Sequence, residues 1–425
     1  MSSENKDLVL YGANWCPDCK RSKKFLNEQR IPYQYIDIQN DEAAQKTVQD
    51  YNNGKQIIPT IVFPNGKVLV EPSNAELAKA LDLKTIASRK FYDLIVVGGG
   101  PAGLTAAIYA AREGIETLVI EKSGLGGQAA ITERLDNYPG FAEGITGAEF
   151  AEQLSKQARR FGVELLAAQD VTSVGACDDM VCGNNGQPPA QTWVRTESGQ
   201  QYEAKAVLIA TGSSYRRLNA DGEEDFIGAG VHFCATCDGP FYKGKPVYVV
   251  GGGNSAAEES IFLTRFASQV TLLVRRNALT ASKVIKDKIG SLKNLDVRYN
   301  TEIKTFEGKH KLKAVKVLNN KTGETTEENP AAVFVFVGLD PNTGFLKGGP
   351  VKLDEYGFIV TSRTLETNLP GVFAAGDVRQ GSTKQVASAV GEGATVALMV
   401  REYLKENADL EDKARFIEED TALVG

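Results

Sequence analysis

Two pairs of cysteines have the spacing of a reactive dithiol: Cys16 and Cys19 in NWCPDCK, and Cys234 and Cys237 in CATCDG. The segment after Cys16 reads as a helix, so Cys16 sits at a helix start. There, unpaired N–H groups and the helix dipole stabilise a thiolate. Lys20, Arg21, Lys23 and Lys24 add positive potential, and Asp18 opposes it. Cys19 lies one turn in, placed to resolve a mixed disulfide. One chain rarely needs two dithiols unless electrons pass from one to the other. Structural zinc is the rival chemistry, because four of the six cysteines would suffice as ligands. Only His232 and His310 are available for mixed Cys/His sites. His232, two residues before Cys234, reads as a neighbour of that dithiol. Cys177 and Cys182 stand in the polar stretch GACDDMVCGNNGQPP, where a loop disulfide, a switch and two inert thiols all remain open.

The second kind of chemistry is nucleotide binding. An apolar strand, DLIVV, runs into Gly98, Gly100 and Gly103, then a helical stretch, then the strand ETLVIEK. Glycines in this order allow a tight turn and close backbone approach, which sets a pyrophosphate on the helix amino terminus. Glu121 ends the second strand, where a carboxylate accepts bonds from a ribose hydroxyl. The design recurs at PVYVVGGGNSAAEES, with Gly251, Gly253 and Ala256. In this copy Val274 stands where the first has Glu121, and Arg275 and Arg276 follow. Guanidiniums at that strand tip suit a 2′-phosphate, which a carboxylate would repel. The first site therefore favours FAD and the second NADPH. Near the end, LPGVFAAGDVRQGSTKQVASAV places Asp377 after a strand and opens a helix near Gln385. That carboxylate can bond the sugar-like arm of a flavin, and the helix start can face its ring.

These residues need elements to hold them. A chain of 425 residues suggests about three domains, and 42% apolar content supports a buried core. The net charge of -6 argues against nucleic acid as a standing partner. No apolar run reaches membrane-span length, and MSSENKDLVLYG shows no secretion signal. A cytoplasmic location is expected, where paired cysteines are redox sites more often than structural bonds. Residues 1–83 read as strand, helix, strand, helix, hairpin, helix, the order of the thioredoxin fold. Asn40 or Asp41 would cap the second helix, and Ser73 and Glu76 have capping-box spacing before the third. Pro59, after Ile58, is the expected cis-proline facing the dithiol. Residues 84–91 form a connector. Residues 92–214 and 339–425 read as an FAD-binding domain, with an NADPH-binding domain, 215–338, inserted.

GGGPAG, GGQ at 126–128, NYPGF at 137–141, ATG, CATCDG, GGGNSAAEE and GVFAAGDV stand in the order found in small bacterial-type thioredoxin reductases. The chain resembles that family from about residue 91 to 405. Its first 83 residues resemble glutaredoxins, and NNGKQIIPTIVFPNGKVLVEPSNAEL resembles mycoredoxin-type members in particular. The resemblance implies an α/β protein with a thioredoxin-fold domain ahead of two Rossmann-like domains. It implies a homodimeric thioredoxin-disulfide reductase using FAD and NADPH. In the family the NADPH domain rotates, so that the flavin meets either nicotinamide or dithiol. Carried over to this chain, Cys237 faces the flavin and Asp238 is proton donor and acceptor for the dithiol. Which sulfur attacks the outgoing disulfide stays open. The FAD site would comprise Gly98, Gly100, Pro101, Ala102, Gly103, Glu121, Lys122, Gly126, Gly127, Gln128, Asn137, Ala210, Thr211, Gly212, Gly376, Asp377, Lys384, Gln385 and Val386. The NADPH site would comprise Gly251, Gly253, Asn254, Ser255, Ala256, Arg275 and Arg276.

The chain departs from the family pattern at several positions. Val274-Arg275-Arg276 replaces a His-Arg-Arg triplet, and Thr280 stands in place of a later Arg. Lys384 replaces the Arg before Gln385, Pro17-Asp18 replaces Pro-Tyr, and EPS at 71–73 replaces a Gly-Gly-type loop. The leading expectation is a reductase with its own redoxin, Cys16 being exposed and passing electrons to a thioredoxin-like protein or a small thiol disulfide. A rival is the flavoprotein of alkyl hydroperoxide reductase, serving a peroxiredoxin, although that family carries two redoxin folds and this chain has room for one. A third makes residues 1–83 a client-docking module only.

Overall fold

A computed structural model describes residues 8–132, 134–176, 192–309 and 311–422, with side chains to residue 408. Cys177, Cys182 and His310 lie outside the described residues. The chain opens with β1 (Leu8–Gly12), α1 (Pro17–Glu28), β2 (Tyr33–Asp37), α2 (Glu42–Tyr51), β3 (Thr60–Val62), β4 (Val68–Val70) and α3 (Asn74–Ala80). The strands form a sheet in the order β2-β1-β3-β4, with β1 parallel to β2 and antiparallel to β3. Pro17 occupies the first turn of α1, where no N–H is needed. Phe25 and Leu26 on its inner face pack with Leu8, Leu10, Ile61 and Leu77. Asp41 caps α2 by accepting the Ala44 N–H at 2.9 Å. Ser73 and Glu76 form the reciprocal box that opens α3. The Ile58–Pro59 bond is cis, as the sequence suggests.

The next layer begins with β5 (Phe91–Val97), α4 (Pro101–Arg112) and β6 (Thr117–Ile120), then α5 (Gly147–Arg160) and β7 (Glu164–Leu166). The strands β8 (Val171–Ala176), β9 (Thr192–Thr196) and β10 (Gln201–Ile209) complete a sheet in the order β7-β6-β5-β10-β9-β8. Leu94, Ile95 and Val96 of β5 are fully buried, because α4 covers one face and the chain's later segments cover the other. After β10 the chain crosses out through β11 (Ser213–Tyr215). It then forms β12 (Val231–His232), α6 (Ala235–Asp238), β13 (Pro246–Val250), α7 (Asn254–Leu263), β14 (Gln269–Val274), α8 (Lys283–Gly290) and β15 (Leu295–Tyr299). An antiparallel ribbon of β16 (Thr301–Gly308), β17 (Leu312–Asn319) and β18 (Thr325–Glu328) precedes β19 (Ala332–Val335). The parallel sheet here runs β12-β19-β13-β14-β15. The chain returns through β20 (Leu339–Pro341), which pairs antiparallel with β11, and β21 (Val372–Ala374) rejoins β10. The helix α9 (Val386–Ala422) then packs on α4. Two crossing strands at one point are what a sheet inserted within another requires.

The amino-terminal unit is docked. At the far end of α1, the Glu28 carbonyl accepts the Gly124 N–H at 2.6 Å and the Gln29 amide donates to the Lys122 carbonyl at 2.9 Å. The Arg30 guanidinium donates to the carbonyls of Leu125 and Gly127. Burial lowers the Arg30 pKa, against the attraction of Glu121. The connector is held separately at Glu164. Its carboxylate pairs with Lys84 at 2.7 Å and accepts from Ser88 N–H and Oγ, both at 2.6 Å, and from Tyr92 Oη at 2.7 Å.

Candidate functional site

The first glycine-rich turn joins β5 to α4. Gly98 has φ +108°, and a Cβ there would overlap the Ala210 carbonyl, so only glycine fits. Pro101 opens α4, and Ala102 and Gly103 are buried behind it. Glu121, buried beyond β6, accepts the Gly99 N–H at 2.6 Å and the Ser123 N–H at 2.8 Å. A cleft brings together Gly98, Glu121, Lys122, Thr211, Asn342 and Phe345. The Gly126 N–H reaches the Gly99 carbonyl at 2.7 Å, which folds the 126–128 loop over the turn; Gln128 is exposed on it. Asn137 and Gln385, 248 residues apart, share a 3.0 Å hydrogen bond. Gly376 packs beside Ala102, and Val386 begins α9. Burial raises the Asp377 carboxyl, with Lys384 and Ser382 opposing. Lys384 Nζ donates to the Asp377 carbonyl at 2.6 Å. A dinucleotide cradle of this shape fits FAD, since the backbone is bare at the turn and a carboxylate waits at the ribose position.

Asn342, Phe345 and Glu392 belong to this neighbourhood and are not picked out by sequence reasoning. Asn342 and Thr211 are doubly bonded: Asn342 Nδ2 to the Thr211 carbonyl at 2.8 Å and Thr211 Oγ1 to the Asn342 carbonyl at 2.9 Å. The Asn342 N–H also reaches the Gly212 carbonyl at 3.0 Å. Glu392 accepts the Gly376 N–H at 2.7 Å and pairs with Arg379 at 2.5 Å. A PNTG turn after β20 and an acid in the second turn of α9 are the only local signals, and both are commonplace.

The second turn joins β13 to α7. Gly251 has φ +153°, and a Cβ would overlap the Phe336 carbonyl. Asn254 Oδ1 accepts the Ser282 N–H at 2.9 Å, Ser255 lies in the first turn of α7, and Ala256 is buried beneath it. Arg275 and Arg276 are exposed just past β14, and neither is ion-paired among the described residues. Thr280, the departure noted above, ties its loop to the turn: its N–H and Oγ1 donate to the Gly252 carbonyl at 2.8 and 2.9 Å. Free guanidiniums at this tip fit the 2′-phosphate of NADPH.

Both dithiols begin helices. Cys16 caps α1 and accepts the Cys19 N–H on Sγ at 3.0 Å; Cys234 caps α6 and accepts the Cys237 N–H at 3.2 Å. The two pairs are disulfides with a Cα–Cα distance of 5.3 Å in each. The expected exposure of Cys16 is not found. It is 4% exposed, because Ala13, Cys19 and Ile58 pack around it; Trp15 beside it is 64% exposed. Cys234 and Cys237 are half-buried. Asp238 is buried and in contact with His232, whose Nδ1 lies 3.3 Å from Oδ2. Tyr215 stacks on Phe233 at 5.0 Å. Its phenol is pushed up to about 12 by burial, with the carboxylates of Asp377, Asp238 and Glu259 adding to the shift. Tyr215 thus stands within electrostatic reach of both Asp377 and the acid of the dithiol.

Residues 92–393 match the pyridine nucleotide-disulphide oxidoreductase family, and residues 8–69 match glutaredoxin. The chain belongs to the first of these families. It carries a glutaredoxin domain in front and uses FAD and NADPH. Thioredoxin reductase from Treponema pallidum is 41% identical over 74% of this chain and 97% of its own length. Thioredoxin reductase from Streptomyces clavuligerus is 40% identical over 76% and 97%. The crystal structure of thioredoxin reductase from Streptococcus pyogenes superposes with a TM-score of 0.69 at 38% identity, covering 75% of this chain and all of that one. The protein is therefore a thioredoxin reductase-like disulfide oxidoreductase. Among the described residues no helix is long and apolar enough to cross a membrane.

Proposed function

We propose that this oxidoreductase delivers its electrons through its own redoxin domain, from Cys234–Cys237 to Cys16–Cys19 and on to a client disulfide. The client class is a thioredoxin-like protein or a low-molecular-weight thiol disulfide. The reading includes a cytoplasmic homodimer, with units at 1–83, 92–214 with 339–425, and 215–338. The nucleotide pair supplies two electrons as a hydride equivalent at Cys234–Cys237. From there the chain's own sulfurs suffice. A core thiolate attacks the Cys16–Cys19 disulfide, breaking its S–S bond and forming a mixed disulfide. The second core cysteine attacks that bond, which restores the core disulfide and leaves Cys16 and Cys19 reduced. Cys16 then attacks the client, and Cys19 resolves the product.

The observation that supports this most is the shared cap geometry of the two dithiols, each with its first sulfur at a helix start. The docking of α1 adds a constraint. Cys16 and the docked residues 28–30 stand at opposite ends of a helix about 18 Å long. Cys16 thus meets its partner dithiol at the end of α1 away from the docked contact, in the same subunit or in the other one. Substituting Cys16→Ser tests the route. NADPH-dependent reduction of the core should persist while reduction of the physiological client is lost. Equal client turnover by the variant would leave the domain as a docking module.

A further inference from the structure

Reducing Cys234–Cys237 consumes a proton as well as two electrons: the S–S bond breaks to give one thiol and one thiolate. Asp238, the residue after Cys237, is taken as the proton's source, and its side chain is only 11% exposed. A buried acid that gives up its proton must be recharged from solvent, and the structure holds a route. His232 Nδ1 lies 3.3 Å from Asp238 Oδ2, and His232 Nε2 lies 2.7 Å from Tyr242 Oη. The imidazole is itself 4% exposed and is fixed by Phe334, whose ring centroid is 5.4 Å away. Tyr242 is half-buried, so this run of hydrogen bonds ends on a residue that reaches solvent. Both ring nitrogens are thus spoken for, one toward the acid and one toward the phenol. A neutral imidazole meets both in either tautomer: donating from Nδ1 and accepting at Nε2, or, with the acid protonated, the reverse.

We propose that Tyr242, His232 and Asp238 form a proton path between solvent and the core dithiol, with His232 and Tyr242 acting through Asp238 as positioning residues. Asp238 gives its proton to the leaving sulfur. The Nδ1 proton of His232 moves to Asp238, the Tyr242 hydroxyl proton moves to Nε2, and water reprotonates the phenol. When the dithiol is oxidised, the same bonds carry the proton outward. The other groups facing the path are Lys245, whose Nζ lies 5.9 Å from the Tyr242 ring centroid, and Tyr215, within electrostatic reach of Asp238. The inference rests on Cys234–Cys237 being the core redox pair and not on the outlet at Cys16.

The test is the rate of reduction of Cys234–Cys237 in a single turnover of the full-length holoenzyme carrying Cys16→Ser, from pH 5.5 to 9 and in D2O. Tyr242→Phe keeps the ring and removes the hydroxyl. His232→Asn keeps a donor for Asp238 and cannot pass a proton on. Both should slow the step by about tenfold or more at the alkaline end, where free protons are scarce, and both should alter the solvent isotope effect. Added imidazole should restore much of the rate to His232→Ala. Wild-type rates and pH profiles in both Tyr242→Phe and His232→Asn would overturn the proposal. So would a loss confined to His232 variants that imidazole does not relieve, since that marks a packing role. A Cys234→Ser control that keeps the measured phase would instead sink the assignment of the core pair. The Cys16→Ser background makes all of these outcomes independent of the redoxin outlet.

Discussion

The two dithiols share one backbone design and differ in everything around it. In each, the first cysteine caps a helix and receives the second cysteine's N–H, at 3.0 Å in one and 3.2 Å in the other. Cys16 opens a helix of twelve residues, long enough for its dipole and free N–H groups to favour a thiolate. Cys234 opens one of four, too short to do the same. What the short helix lacks in field, the core site replaces with a buried acid and the histidine that touches it. At the redoxin site the acid is Asp18, which is paired with Arg21 and 42% exposed. A thiol that only exchanges with other thiols needs a thiolate, which the longer helix favours. One that receives electrons from a hydride donor also needs a proton on call.

The largest expected effect separates the acids. Asp238→Asn should slow reduction of the core dithiol by about a hundredfold, at the low end of what a positioned general acid contributes. Asp18→Asn should change client reduction by no more than a few-fold, since an exposed ion pair is worth at most about 1 kcal/mol. Single-turnover rates at each dithiol check both. Comparable losses would mean that the two sites use their acids alike.

A second contrast lies between the glycine-rich turns, one ending at Glu121 and the other at Val274 and the two arginines. Replacing Arg275 and Arg276 by Gln should raise the KM for NADPH about tenfold or more and leave that for NADH nearly unchanged. Equal use of both nucleotides by the unmodified protein would remove the basis for this prediction. Next comes the docking contact. Arg30→Ala removes a partly buried guanidinium from two carbonyls and should shift the redoxin domain toward its undocked state by about tenfold. Hydrogen exchange at residues 122–127 reads that shift. If docking protects the client-reducing state, turnover falls; if release is needed for exchange, turnover rises.

Much of this was legible in the sequence because the signals are local. Strand, glycines, helix and strand tip, with Glu121 in one copy and the two arginines in the other, lie within about 25 residues in each nucleotide turn, and the caps of α2 and α3 within four. What was not legible depends on contacts that no short pattern encodes. Asn137 meets Gln385 only because β21 returns to β10 after the insertion. His232 and Asp238 are six residues apart, yet their contact needs the chain to turn sharply into α6. Cys16 is a surface residue by its polar neighbours and a buried one in the fold, because Ile58 closes over it. Arg30, just past α1, has no local signal for the loop it grips, which lies 95 residues or more further along the chain.

The smallest expected effect concerns how the connector is held. Burial pushes the Glu164 carboxyl up, but hydrogen bonds from Lys84, Ser88 and Tyr92 outweigh it and hold the group down at about 2. A carboxyl depressed in the folded state contributes stability that is present above its ordinary value, near 4.5, and fades as the pH falls toward about 2. The connector should therefore loosen in that window, while the buried apolar run Leu94–Val97 of β5 keeps its protection. Hydrogen exchange at residues 84–90, corrected for the intrinsic rate, follows it. Glu164→Gln should show at pH 7 the opening that the unmodified protein reaches only in acid. The magnitude is modest, because Lys84 is half exposed and solvent screens its share. If residues 84–90 stay equally protected from pH 7 down to 2.5, Glu164 is not the clasp, and the redoxin domain is held by contacts such as those of Glu28, Gln29 and Arg30.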